Sequence, residues 1–134
     1  MRRALTLAAG LSLLAAGCGD GMLRTRGRVL KAGRPFVPQS GERIEVTFVP
    51  IPPDGKPPAD YYFADVDQAA ATFRPAGKDG KGMPPGRYRV AVELVKKKKD
   101  QLGGRYDAEH SPFVFDVDAN TKEIVIDLDK PGGA

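Results

Sequence analysis

Few residues in this chain are of a type that does chemistry, and their spacing argues against most of it. Cys18 is the one cysteine. A lone thiol can form neither an intrachain disulfide nor a cysteine metal cluster, so its position must carry its meaning. His110 is the one histidine, in the polar stretch "DAEHSP". A general-base or metal role needs convergent partners, and Asp107 and Glu109 are near it only in sequence. No Ser/His/Asp spacing suggests a triad, so His110 reads as a solvated loop residue. In "DVDANTKEIVID", Asp116, Asp118, Asn120 and Asp127 stand at calcium-loop offsets 1, 3, 5 and 12. The sixth position, however, is Thr121 rather than Gly, and the twelfth is Asp rather than a bidentate Glu. A strand, a turn and a strand are expected there instead. Asp65 and Asp67 read as a solvated turn. The expectation is no catalytic residue, no metal site and no cofactor: a protein that is not an enzyme.

The basic run Lys96, Lys97, Lys98, Lys99 follows an alternating segment directly, and Arg105 extends it into a positive patch. Such a patch can attract lipid headgroups, acidic polysaccharide or nucleic acid. It can also keep a loop soluble and discourage edge-to-edge strand pairing, and this second reading is the preferred one. Aromatic residues that could stack on a sugar are confined to Tyr61, Tyr62 and Tyr106, and neighbours in a strand such as Tyr61 and Tyr62 face opposite ways. The net charge is +4, from 21 Lys and Arg against 17 Asp and Glu. It becomes +2, or 19 against 17, if Arg2 and Arg3 leave with a cleaved leader. That is too small for a general nucleic-acid signature, and no nucleic-acid partner is expected.

The leader is the next inference. Arg2 and Arg3 precede "ALTLAAGLSLLAAG", Ala4 to Gly17, which is apolar apart from Thr6 and Ser12. As a helix this would span about 21 Å, short of the ~30 Å hydrocarbon core of a bilayer. A basic start, an apolar run and a small-residue exit make a signal peptide. Its end, "LLAAGC", resembles the bacterial lipobox: an aliphatic residue, two small residues, then Cys. The resemblance implies a diacylglycerol on the Cys18 thiol and cleavage just before it. The third position before the Cys, most often Leu, is here Ala15, with Leu14 one step earlier. The alternative is an ordinary secreted protein with a free Cys near its cleavage site. One acyl chain anchors only reversibly, at about 0.8 kcal/mol per buried methylene, whereas two or three hold firmly. The expected organisation is a signal peptide over 1–17, a lipidated Cys and tether over 18–23, a domain over 24–129 and a disordered end over 130–134.

Positioning falls to the domain. Period-2 alternation places Ile44, Val46 and Phe48 on one face of "RIEVTFV". It does the same for Tyr88, Val90, Val92 and Leu94 in "RYRVAVELV", with Arg89, Ala91 and Glu93 outward. Phe113, Phe115 and Val117 align in "PFVFDV", and Ile124, Ile126 and Leu128 in "EIVIDL". Weaker strands are expected over 24–30, 61–66 and 70–74, about seven in all. "KAGRP", "PPDGKPP" and "AGKDGKGMPPG" supply Gly for positive φ and Pro for fixed φ at the turns. No segment after the leader shows a sustained helical period. The expected fold is all-β, a single antiparallel sandwich. Its core should hold Val46, Phe48, Tyr88, Val90, Val92, Phe113, Phe115, Ile124 and Ile126. In "PPGRYRV", Gly86 should adopt a conformation that other residues avoid, and the Tyr88 hydroxyl should reach a backbone group.

Several of these stretches together resemble transthyretin-like and carboxypeptidase-regulatory-like domains. "RGRVLKAGRPF" is similar to their opening G-x-V-x-x-x-G-x-P-(apolar) pattern, "IEVTFVP" to the next strand, and "MPPGRYRVAVE" to a frequent strand entry. "GGRYDAEHSPFVFDVDANTKEIVIDL" looks like the closing strands of bacterial lipoproteins of this type. The resemblance covers most of Gly27 to Leu128 and implies an immunoglobulin-like architecture. "DVDQAAATFRP" departs from the family's (Asp)-x-x-G-x-F hairpin in lacking Gly at the turn, which leaves strand pairing there open. The same fold includes 5-hydroxyisourate hydrolase, which uses several His, an Arg and a Tyr-Arg-Gly-Ser type C-terminus. This chain has one His and ends in "DKPGGA". The expectation is therefore an exported, lipid-anchored, non-catalytic structural or interaction module of the cell envelope. Its membrane contact would be through Cys18, with an envelope protein or polysaccharide as partner. The alternative is a binding module for glycan or another anionic envelope polymer through the basic 96–105 loop.

Overall fold

The computed structural model describes residues 21–130, so Cys18 and the end segment 131–134 lie outside the described residues. Every regular element in the range is a strand: β1 Arg26–Lys31, β2 Arg34–Pro35, β3 Arg43–Pro50, β4 Tyr62–Asp67, β5 Thr72–Pro75, β6 Gly86–Lys96, β7 Lys99–Asp100, β8 Val114–Val117 and β9 Glu123–Asp127. The strands expected from alternation are all present. Alternation misses only β2 and β7, which at two residues each are too short to show it.

The strands form one sheet in the order β2-β1-β5-β4-β3-β6-β7, with β8 also on β6 and β9 also on β1. The sheet curls around a single apolar cluster drawn from both of its halves. Its backbone is the β3–β6 pair, antiparallel from Arg43↔Val95 to Pro50↔Tyr88. β4 joins the halves: Tyr62 and Phe63 pair with β3, and Ala64 to Asp67 pair with β5. That register settles the pairing the sequence leaves open. Its turn needs no Gly, because Asp67 Oδ1 accepts the amides of Ala69 and Ala70 at 3.1 and 3.2 Å. Ala71 takes the left-handed conformation, φ 55°, at about 1–2 kcal/mol.

The sheet is not wholly antiparallel. β1 and β9 run parallel, from Arg26↔Glu123 to Leu30↔Asp127. This register sets Gly27 beside Ile124 and Val29 beside Ile126, so the buried faces of the two strands coincide. The strands are far apart in sequence, and no local pattern encodes their relative direction.

Eight of the nine core residues expected from alternation are buried. Phe115 is the exception: it packs against the core but is only partly buried. β8 pairs with β6 on one side alone, which leaves the middle of this edge strand uncovered. Ala91, expected outward, is buried, since its short side chain sits between the longer Arg89 and Glu93 on the same face. Tyr88 behaves as expected. Its ring meets Phe48 and Tyr62 edge-on, with centroids 6.0 and 6.1 Å apart, and its hydroxyl donates to the Pro84 carbonyl at 2.5 Å. Burial, and secondarily Tyr62, push its pKa up to about 12. Gly86 is ordinary strand. The left-handed conformation expected there falls earlier, at Gly82 with φ 101°.

Gly82 matters because the chain entry crosses it. Leu23 and Met83 exchange both backbone hydrogen bonds, at 2.6 and 3.0 Å. A side chain at Gly82 would collide with the Leu23 carbonyl. Leu23, assigned to the tether by sequence, is thus clamped into the domain and packs on its core.

Candidate functional site

The lysine run is a hairpin tip rather than a loop. Lys96 ends β6, Lys99 begins β7, and the two are directly paired. Lys97 and Lys98 form the two-residue turn, with φ 51° and 63°. Gln101 braces it: its side-chain amide donates to the carbonyls of Lys99 at 3.2 Å and Lys96 at 3.5 Å. Asp100 locks the base, its Oδ1 accepting the amides of Leu94 at 3.0 Å and Leu102 at 2.9 Å and its Oδ2 that of Gly104 at 2.9 Å.

Arg105 lies on the segment that follows β7. The segment after β7 returns along the edge of β6, where Val92 N donates to the Tyr106 carbonyl at 2.7 Å and Val90 N to that of Phe113 at 2.8 Å. Arg105 lies over the Tyr106 ring, 5.5 Å from its centroid. The expected 96–105 patch is therefore two features, a lysine tip and a single stacked arginine. Tyr106, offered by sequence as an exposed aromatic, is buried; it stacks on Phe113 at 5.5 Å and donates its hydroxyl to the Leu128 carbonyl at 2.8 Å. Tyr62 is half-buried. The aromatics that do face solvent are Tyr61 and Phe63.

The groups closest to a catalytic arrangement hold backbone instead. Asp107 Oδ1 accepts from the His110 ring at 2.7 Å and from the amides of His110 at 2.9 Å and Glu109 at 3.0 Å. Burial opposes ionisation of Asp107, but these donors outweigh it and hold the carboxyl below its usual range. His110 itself is exposed. The next residue, Ser111, is buried with its hydroxyl donated to the Val90 carbonyl at 2.5 Å. It is packing, not a poised nucleophile.

The calcium-like offsets do not converge. Asp118 caps its own turn through the Asn120 amide at 2.8 Å, and Asp116 faces Arg87 at 3.9 Å. Asp127, at the far end of β9, accepts the amides of Gly33 and Asp129 at 3.0 Å each. Asp67 holds the β4–β5 turn, and Asp65 pairs across the strands with Arg74. Glu93 gathers other carboxylates: it stands opposite Glu45, and burial, with Asp100, Glu45 and Asp107 nearby, raises its pKa. Among the described residues no group of three or more His, Cys, Asp or Glu could hold a metal ion.

Sequence reading missed two open grooves. One, about 570 Å³, lies on the outer face of β1, β4 and β5, where Arg26, Arg28 and Arg74 alternate with Asp65, Asp67 and Glu123. The Arg28–Glu123 ion pair, 2.6 Å, crosses its rim. The other, about 440 Å³, is walled by Pro50, Pro52, Pro57, Pro58 and Tyr61 around Arg89. Arg26 and Arg28 on one face of β1 were a legible signal for the first; the second depends on a loop folding back on the sheet. No helix among the described residues is long and apolar enough to cross a membrane. No protein-family model matches the chain, and neither a curated protein nor a solved structure matches it.

Proposed function

We propose that this chain is an exported lipoprotein of the cell envelope: a transthyretin-like β-domain held on a membrane by lipid on Cys18 and acting as a non-catalytic structural or interaction module. The observation that carries the reading is the place of "LLAAGC". The lone cysteine closes an apolar leader and comes five positions before Leu23, which is held to the fold through its bridge to Met83. Five extended residues reach at most about 18 Å, so a lipid at Cys18 holds the domain close above the headgroups. What supports the non-catalytic part of the reading is that the polar atoms of Asp107, Ser111 and Tyr88 are committed to backbone hydrogen bonds.

The test is metabolic labelling with a radioactive fatty acid, followed by detergent phase partitioning, for the wild type and Cys18→Ser. The wild type should carry label and enter the detergent phase. Cys18→Ser should carry none and keep its leader, while its β-domain unfolds at the same urea midpoint as that of the wild type. An unlabelled wild type that stays in the aqueous phase rejects the anchor and leaves a simply secreted protein.

A further inference from the structure

The lysine hairpin is built against its own stability. Two-residue hairpin turns with both central residues in the left-handed region favour Asn-Gly; here Lys97 and Lys98 occupy it, at φ 51° and 63°. Lys96 and Lys99 stand directly opposite one another, a like-charge pair that repels. The ion pairs among the described residues are Arg28–Glu123, Arg43–Glu45, Lys78–Asp60, Arg87–Asp116 and His110–Asp107. None of the four lysines takes part. Gln101 and Asp100 nonetheless hold the tip in one shape. Strain, repulsion and charge without an ion pair are thus concentrated in four residues, and local strain of this kind collects where a site needs it. A bound anion removes the repulsion and neutralises the charge.

We infer that the Lys96–Lys99 tip is a binding site for a polyanionic polysaccharide. Ammonium groups act as point charges and do not demand the planar, paired geometry that arginine does, which suits charges spaced along a flexible polymer. Among the described residues the exposed large apolar side chains are Val37, Tyr61, Phe63 and Val125, none of them in the hairpin. The tip therefore lacks both the stacking platform of a single-stranded nucleic-acid site and the buried anchor of a protein interface. Direction supports the same partner. β6 leaves the Leu23–Met83 clamp and ends at the hairpin, and its eleven residues extend about 36 Å. On the lipid-anchor reading, on which this step rests, the tip faces away from the anchoring membrane.

The experiment uses the full chain in non-ionic detergent, so the measurement does not depend on whether Cys18 carries lipid. Binding to polygalacturonate is compared with binding to neutral dextran, a 20-base-pair DNA duplex and glycerol 3-phosphate, the soluble end of an anionic lipid headgroup, between 50 and 500 mM NaCl. Wild type should hold polygalacturonate, lose most of that binding at high salt, and ignore dextran. K97N/K98G should bind about tenfold more weakly, yet melt about 3–6 °C higher because the strain is relieved. K96Q/K99Q, which leaves the turn residues in place, should also weaken binding. Equal binding by wild type and both variants overturns the site. So does equal retention on dextran, or tighter binding to DNA or glycerol 3-phosphate than to polygalacturonate. If Cys18 proves unlipidated while the variants still lose the polymer, the anchor falls and the site stands.

Discussion

Gly27→Ala is the sharpest probe of how β1 is fitted to its neighbour. Gly27 is buried and pairs across the sheet with Phe73. The Phe73 ring occupies the space a side chain would fill: a methyl at Gly27 would come within 2.7 Å of Cε1 and closer still to Cζ and Cε2. Phe73 is 2% exposed and packs on Phe48 with centroids 5.8 Å apart, so the ring has little room to retreat. The φ of Gly27 is not in the left-handed region, and alanine in a strand is intrinsically better than glycine by about 0.5–1 kcal/mol. Overpacking costs about 1–3 kcal/mol, and full expulsion of the ring would approach the ~3–5 kcal/mol of a Phe→Ala change. The expected net loss is about 2 kcal/mol. Urea unfolding followed by circular dichroism should show a lower midpoint with an unchanged slope. Gly27→Ala combined with Phe73→Val should cost at least 1 kcal/mol less than the sum of the two singles, because the smaller side chain admits the methyl. A single-mutant effect within 0.5 kcal/mol of zero, or strictly additive effects, would refute the close approach.

Tyr88→Phe should cost about 1 kcal/mol through the Pro84 carbonyl left unpaired. Because the folded hydroxyl titrates near 12 against an ordinary value of 10.0, the unfolded chain releases its proton first. The stability is whole below pH 10 and falls as the pH rises toward 12; Tyr88→Phe should flatten that part of the unfolding free-energy profile, and an unchanged slope would place the hydroxyl in water. Phe113→Ala should destabilise by about 3–5 kcal/mol and Phe115→Ala by clearly less, about 2 kcal/mol, because only the former is fully buried; equal losses in chemical denaturation would put Phe115 back in the centre. Gly82→Ala forces an unfavourable φ and a clash with the Leu23 carbonyl; hydrogen exchange should speed at the Leu23 and Met83 amides while the β3–β6 amides keep their protection.

What the sequence determined by itself is local. Alternation with period 2 is a property of a few neighbouring residues, so the strands around Phe48, Tyr88, Phe113 and Ile126, and the inward face of each, were readable in one dimension. The need of a buried phenol for a partner was equally readable at Tyr88, because its acceptor, Pro84, lies four residues away. The charge of Lys96–Lys99 was plain too, but its shape was not: a Lys-Lys turn lacks the Asn-Gly signature, and only the pairing of β6 with β7 makes it a hairpin tip. Tyr106 shows the same limit. It sits in a loop without periodicity, and its burial depends on Phe113 and on the Leu128 carbonyl, 22 residues away. The parallel approach of β9 to β1, the ring of Phe73 over Gly27 and the clamp of Leu23 on Met83 join segments distant along the chain. Such contacts depend on how the apolar faces of the whole sheet close on one core, and tertiary structure alone decides which strands meet, in which direction, and which loop residues they cover.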